Sequence, residues 1–183
     1  GIVNVTPDSF SDGGRLASCS SDGTVRLWGA NQFGQCTPIS GLARVVKLEL
    51  GAEHSLAMRS DSTLAAWGSN SFGQSAVPGD VTAVRDVSAG EAHTLALLPD
   101  GTVRAWGFNF YGQTNVPAGL SDVADVCAGA QYSLALKSDG SLVAWGRNNS
   151  GQTNVPSPTA GAFDIAAGQA HGFAALRPSG IVA

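Results

Sequence analysis

The sequence predicts an all-β fold: a β-propeller, or a segment of one, with about four to five blade units. Three observations predict it. Trp28, Trp67, Trp106 and Trp145 stand 39 residues apart, each opening a Trp-Gly segment. The same step separates Gly51, Gly90, Gly129 and Gly168, and again His54, His93, Tyr132 and His171. Glycine, at 24 of 183 residues, has nearly double its ~7% average share, and short apolar runs alternate with turn residues instead of following a helical period. A repeat near 40 residues, with several strands and one Trp in each, is the pattern of wedge-shaped sheets stacked around an axis.

The units fall near 16–35, 44–74, 83–113, 122–152 and 161–183, after a leader at 1–15 that is expected to be flexible or to pair as an edge strand. The unit at 83–113 shows the elements in order. VRDVSAG (84–90) reads as a strand ending at a glycine, and HTLALL (93–98) as a second strand. Pro99-Asp100-Gly101 turns the chain into TVRAWG (102–107), the third strand. Side chains alternate along a strand, so Leu95 and Leu97 point to one face, as do Val103 and Ala105. The loop FNFYGQTNVP (108–117) then leads on, with Pro117 and its counterparts Pro78 and Pro156 where a missing N–H costs nothing. No unit can cover both its own faces. Each Trp is therefore expected to fill the seam with a neighbour, where one aromatic buries about 150–250 Å².

The segments WGANQFGQ, WGSNSFGQ, WGFNFYGQ and WGRNNSGQ, with AGxxHxLAL and SDG in the same units, resemble the regulator of chromosome condensation repeat in its compact bacterial form over residues 28–180. The resemblance implies a β-propeller, usually of seven blades, whose face loops grip other proteins. Its namesake is a nucleotide exchange factor for a small GTPase, and a secreted bacterial relative inhibits β-lactamases. LASCSSDGTVRLW (16–28) is similar to the end of a WD repeat, and its Asp22-Gly23 precedes Trp28 in matching register. GIVNVTPDSFSDGG (1–14) resembles the first strand and loop of dihydropteroate synthase. That resemblance implies metal and pyrophosphate contacts for Asn4, and a mobile loop at Thr6, Asp8, Ser9, Phe10 and Ser11. A (β/α)₈ barrel needs ~200 residues or more, and its site draws on several strand ends. From residue 15 onward the pattern is hairpins, so the leader is expected to lack the rest of that active site. Three abutting resemblances make the chain read as chimeric or as a fragment.

Ten Lys plus Arg, a net charge of −4 and no basic block exclude a nucleic-acid partner. No apolar run approaches the ~18 residues of a membrane span, and no signal peptide is visible at the start. Cys19, Cys36 and Cys127 lack C-x-x-C spacing and are expected to be incidental or buried thiols. No catalytic residue, cofactor or metal is expected. The recurring His54, His93 and His171 are read as scaffold, each ring nitrogen bonding to backbone, because Tyr132 interrupts the series. Asn31, Asn70, Asn109 and Asn148 are expected to hold turns. Gln35, Gln74, Gln113 and Gln152 are expected to tie each loop to the neighbouring blade.

Positions alike in every unit serve the scaffold, and positions that differ are free for a partner. After each Trp-Gly comes Ala30, Ser69, Phe108 or Arg147; two residues later comes Gln32, Ser71, Phe110 or Asn149. Phe108, Phe110 and Tyr111 thus gather in one loop, and with Arg147 and Asn149 they are the candidate protein-binding residues. The expected function is a non-enzymatic, protein-binding propeller module. Its alternatives are guanine-nucleotide exchange on a small GTPase and, from the leader, folate-pathway synthesis. An incomplete ring would leave sheet edges bare and invite self-association.

Overall fold

A computed structural model describes residues 16–19, 25–157 and 161–176, with side chains from Val25 onward. The leader and the Asp22-Gly23 turn lie outside the described residues. Every element described is a strand, in the order β1 (Leu16–Cys19), β2 (Val25–Trp28), β3 (Val45–Leu50), β4 (His54–Arg59), β5 (Leu64–Gly68), β6 (Asp86–Ala89), β7 (His93–Leu97), β8 (Val103–Gly107), β9 (Val123–Ala128), β10 (Tyr132–Lys137), β11 (Leu142–Gly146), β12 (Ala162–Ala167) and β13 (Gly172–Leu176). They form five antiparallel sheets. Three have three strands each, β3-β4-β5, β6-β7-β8 and β9-β10-β11, flanked by the pairs β1-β2 and β12-β13.

Local chemistry sets the hairpins. Gly101 and Gly140 turn at φ +79 and +81, in the left-handed region that glycine enters without cost. Asp100 Oδ1 accepts from Thr102 N and from Thr102 Oγ1 at 2.9 and 2.7 Å, and Asp139 does the same with Ser141. Those bonds hold both carboxyls below their usual range. In the unit before, Ser62 takes the left-handed position at φ 67, and Asp61 holds Thr63.

The hydrophobic core is a series of seams and not one centre. Leu95, Leu97 and Val103 of one sheet meet Val123, Val126, Ala128, Ala135 and Trp145 of the next, with Val116 and Leu120 of the connecting loop closing the seam. Comparable clusters join β3-β4-β5 to the sheets on either side, and Tyr132, Leu134 and Leu136 to Ile165 and Ala174. Trp67 and Trp145 are 6% and 7% exposed, whereas Trp28, which has no preceding sheet among the described residues, is 49% exposed. At about 25 cal/mol per Å², a seam Trp contributes about 4–6 kcal/mol of burial. Between the last complete sheet and the β12-β13 pair lies a groove of about 350 Å³ bounded by Leu134, Leu142, Gln152, Val155 and Phe173.

The first strands β3, β6, β9 and β12 succeed one another in contact. Their equivalent positions are Lys47, Asp86, Asp125 and Asp164, again 39 residues apart. Lys47 Nζ reaches Asp86 Oδ1 at 2.5 Å and the carbonyl of Val87 at 3.0 Å. Asp125 titrates near 6, raised by burial and by the Asp86 carboxylate that shares a hydrogen bond with it. Cys127 carries a free thiol, and Cys36 Sγ donates to the carbonyl of Ala30 at 3.1 Å. Burial pushes Cys127 up to about 12, which keeps it protonated and unreactive.

Candidate protein-binding face

The turn after the first strand of each unit and the loop after its third strand share one face. Backbone bonds join them: Ser69 N to Glu53 O at 2.8 Å, Phe108 N to Ala92 O at 2.8 Å, and Arg147 N to Gln131 O at 2.9 Å. The close approach requires the Gly of each Trp-Gly. Gly107 has φ +104, and a Cβ there would lie 2.6 Å from the Ala92 carbonyl.

Each loop is stapled twice. Asn109 Oδ1 accepts from Thr114 N at 2.9 Å, and Asn109 Nδ2 donates to Asn115 Oδ1 at 2.8 Å. Gln113 Oε1 accepts from Tyr111 N at 3.0 Å. The same Gln bond recurs from Phe33 N to Gln35, Phe72 N to Gln74 and Ser150 N to Gln152. Thus the glutamine side chain closes its own loop. The bond to the neighbouring blade comes instead from the glutamine main chain. The carbonyls of Gln35, Gln74 and Gln113 accept from Trp67, Trp106 and Trp145 Nε1 at 2.9, 3.1 and 2.9 Å. They also accept from the hydroxyls of Ser55, Thr94 and Ser133 at 2.9, 2.9 and 2.8 Å.

The histidines support the same seams. His54 Nε2 lies 3.0 Å from Thr94 Oγ1, and His93 Nε2 lies 3.1 Å from Ser133 Oγ. Those hydroxyls already donate to glutamine carbonyls, so each ring carries its proton on Nε2 and donates. The partner is therefore a hydroxyl of the next blade and not the backbone expected from sequence. Tyr132 reaches further, its OH donating to the carbonyl of His171 at 2.5 Å. His171 itself is exposed, unlike the fully buried His54 and His93. Burial drives His93 down to about 4, so it is neutral near pH 7. Among the described residues no three His, Cys, Asp or Glu side chains are placed to hold a metal.

Stapled loops leave the variable side chains outward. Phe108 packs edge-on against Phe72 with ring centres 4.9 Å apart, and Phe110 stacks on Phe108 at 6.4 Å. Tyr111 meets Phe110 edge-on at 5.0 Å. The Arg147 guanidinium stands 5.2 Å over the Tyr111 ring and donates to Gln131 Oε1 at 2.9 Å. Gln131 Nε2 in turn donates to Glu91 Oε2 at 2.9 Å. Phe72 and Phe110 are 54% and 77% exposed. Asn149 is exposed at the rim. The structure thus gathers Phe108, Phe110, Tyr111 and Arg147 and adds Phe72 from the preceding unit. Phe72 occupies the scaffold register of Tyr111 and carries no sequence signal of its own; only the stacking of adjacent units brings it to Phe108.

The stacked sheets, shared seams and common loop face define a β-propeller-type repeat protein. The profile of the regulator of chromosome condensation (RCC1) repeat matches residues 45–74, 84–113 and 123–152. The repeat core of this chain belongs to that family. No curated protein sequence matches the chain. Among solved structures, the CRINKLY WD40 ectodomain of the Arabidopsis thaliana receptor kinase ACR4 superposes with a TM-score of 0.78 at 23% identity, over 97% of this chain and 69% of that one. Prp20p of Saccharomyces cerevisiae gives 0.75 at 18% identity over 95% of this chain, which spans 54% of the yeast protein's chain. At these identities the likeness establishes the fold.

Proposed function

We propose that this chain is a non-enzymatic binding module that holds a protein partner on the loop face built from Phe72, Phe108, Phe110 and Tyr111. The observation that carries the reading is the continuous aromatic cluster, much of it open to solvent, in which Phe108 and Phe110 stand where other units place Ala30, Ser69, Gln32 and Ser71. Rigid aromatics on a fixed loop lose little entropy on binding and anchor interfaces. Arg147 and Asn149 supply polar contacts at the margin. Support comes from the yeast neighbour, which is described as binding Gsp1p and histones.

The test is selection from a displayed peptide library on the immobilised wild-type chain, followed by affinity measurement of the selected binders. Joint replacement of Phe108 and Phe110 by Ala is expected to weaken them by about 1–2 kcal/mol, roughly 5- to 30-fold. Unchanged affinity would remove this loop from the proposal. Exchange activity on a small GTPase is a narrower form of the same reading, drawn from the repeat family. It predicts faster release of labelled GDP from a GTPase when the chain is added.

A further inference from the structure

Beside the aromatic cluster, Phe72 has a second neighbourhood. A depression of about 210 Å³ lies between the loop of Ala30 to Gln35 and the loop that carries Phe72. Phe33 and Phe72 border it, Ala52 and Ala92 contribute small side chains, and Glu53 and Glu91 both line it. Two acidic residues and two aromatic residues therefore line one small depression.

The carboxylates are poorly neutralised. Glu91 accepts one bond, from the neutral amide of Gln131. Glu53 has no side-chain partner among the described residues, although its side chain is partly buried. Arg147, a cation of this face, is committed to Gln131 and to the Tyr111 ring. The glutamates do not belong to the repeat scaffold: the equivalents of Glu91 are Ala52, Ala130 and Gln169, and those of Glu53 are Ala92, Gln131 and Ala170. Carboxylates attract a cation by charge, and aromatic rings attract it through their negative faces. An anionic ligand would meet repulsion there. A volume below the ~300 Å³ of usual small-molecule pockets fits one side chain better than a cofactor.

We propose that this depression receives an arginine or lysine side chain from a basic segment of the bound partner, with Glu53 and Glu91 as its counter-charges and Phe33 and Phe72 as its walls. The inference rests on the loop face being the binding face, since Phe72 belongs to both, and it names the chemistry of the partner.

The experiment is a fluorescence-anisotropy titration at low salt with two labelled peptides of alternating glycine and charged residue, one with arginine and one with glutamate. Wild-type protein is expected to bind the arginine peptide and not the glutamate peptide. Glu53→Gln with Glu91→Gln should weaken the arginine peptide at least 10-fold, and Phe72→Ala should weaken it several-fold. Should the double variant melt below wild type, Glu53→Gln alone serves, because it removes no hydrogen bond of the fold. Equal binding of the two peptides, no binding of the arginine peptide, or full retention by the glutamate variants would each overturn the proposal. The library binders separate the two readings: loss with Phe108→Ala and Phe110→Ala but not with the glutamate variants keeps the loop face and discards the cation site. No loss with either discards both.

Discussion

The indole N–H of Trp145 donates to the main-chain carbonyl of Gln113 at 2.9 Å, across 32 residues and from one blade to the next. Ser133 Oγ donates to the same oxygen, and His93 supports that hydroxyl from the blade before. The seam is thus an apolar contact with a short polar relay at its upper end. Gln113 and His93 come from one unit of the repeat, and Trp145 and Ser133 from the next.

That relay makes substitutions at Trp145 informative. Trp145→Phe keeps most of the apolar contact but removes one of the two donors to Gln113. The carbonyl keeps Ser133, so the expected loss is about 1 kcal/mol for the bond plus a small packing term. Trp145→Ala empties the seam and is expected to cost about 3–5 kcal/mol. Denaturant midpoints measured side by side should separate the variants clearly. Equal costs would show that the seam derives nothing from the ring beyond its N–H.

Gly90 gives a steric test of the His positions. A Cβ at Gly90 would lie 2.2 Å from His93 Cε1 and 2.7 Å from the Gly129 carbonyl. Gly90→Ala must therefore displace a fully buried ring or a neighbouring blade's backbone, at a cost of about 1–3 kcal/mol or more. Combining it with His93→Ala relieves the ring clash and not the carbonyl clash. The double variant should therefore recover only part of the Gly90→Ala loss, which a thermodynamic cycle of melting curves would read.

These two relationships also mark what could be read in the residues. The 39-residue step fixed the strand order, the Trp-bearing third strand and the Asp-Gly hairpins, because each is a local signal repeated until chance is excluded. The pairing of Gly90 with His93 was visible as a shared period, though not as a ring lying over a glycine. What stayed hidden depends on contacts between units. The Gln113 carbonyl is invisible in a sequence, since every residue has one. The Lys47, Asp86, Asp125 and Asp164 row begins with the opposite charge, so its common register does not stand out. Phe72 joined Phe108 only when one loop was set beside the next.

The buried titratable groups predict a pH profile with two opposing contributions. His93 has its folded pKa lowered to about 4 from 6.5, so its contribution is full above 6.5 and is lost as pH falls toward 4. Complete burial sets the size at up to about 3 kcal/mol. Asp125 has its folded pKa raised to about 6 from 3.8. Its contribution is full below 3.8 and is lost as pH rises through 6. Partial solvent access and the proton shared with Asp86 reduce that contribution to about 1 kcal/mol. Urea melts at pH 4, 5, 6 and 7 should show net loss on acidification, and Asp125→Asn should steepen it by removing the opposing contribution. An unchanged slope in Asp125→Asn would mean that this carboxyl titrates as it does in the unfolded chain.

The aromatic loop poses a choice between packing and recognition that stability data can decide. Phe110 is 77% exposed and, among the aromatic rings of the described residues, touches only Phe108 and Tyr111. Phe108 is partly buried and leans on Phe72 of the preceding blade. If the cluster served the seam, both truncations would destabilise the fold. The exposures predict otherwise: Phe110→Ala should change unfolding free energy by less than about 0.5 kcal/mol, and Phe108→Ala by about 1 kcal/mol. A Phe110 that costs nothing to remove and yet weakens selected binders belongs to the partner's side of the energetics. A Phe110→Ala variant that melts as poorly as a seam variant would assign the cluster to blade packing and leave the face without its anchor.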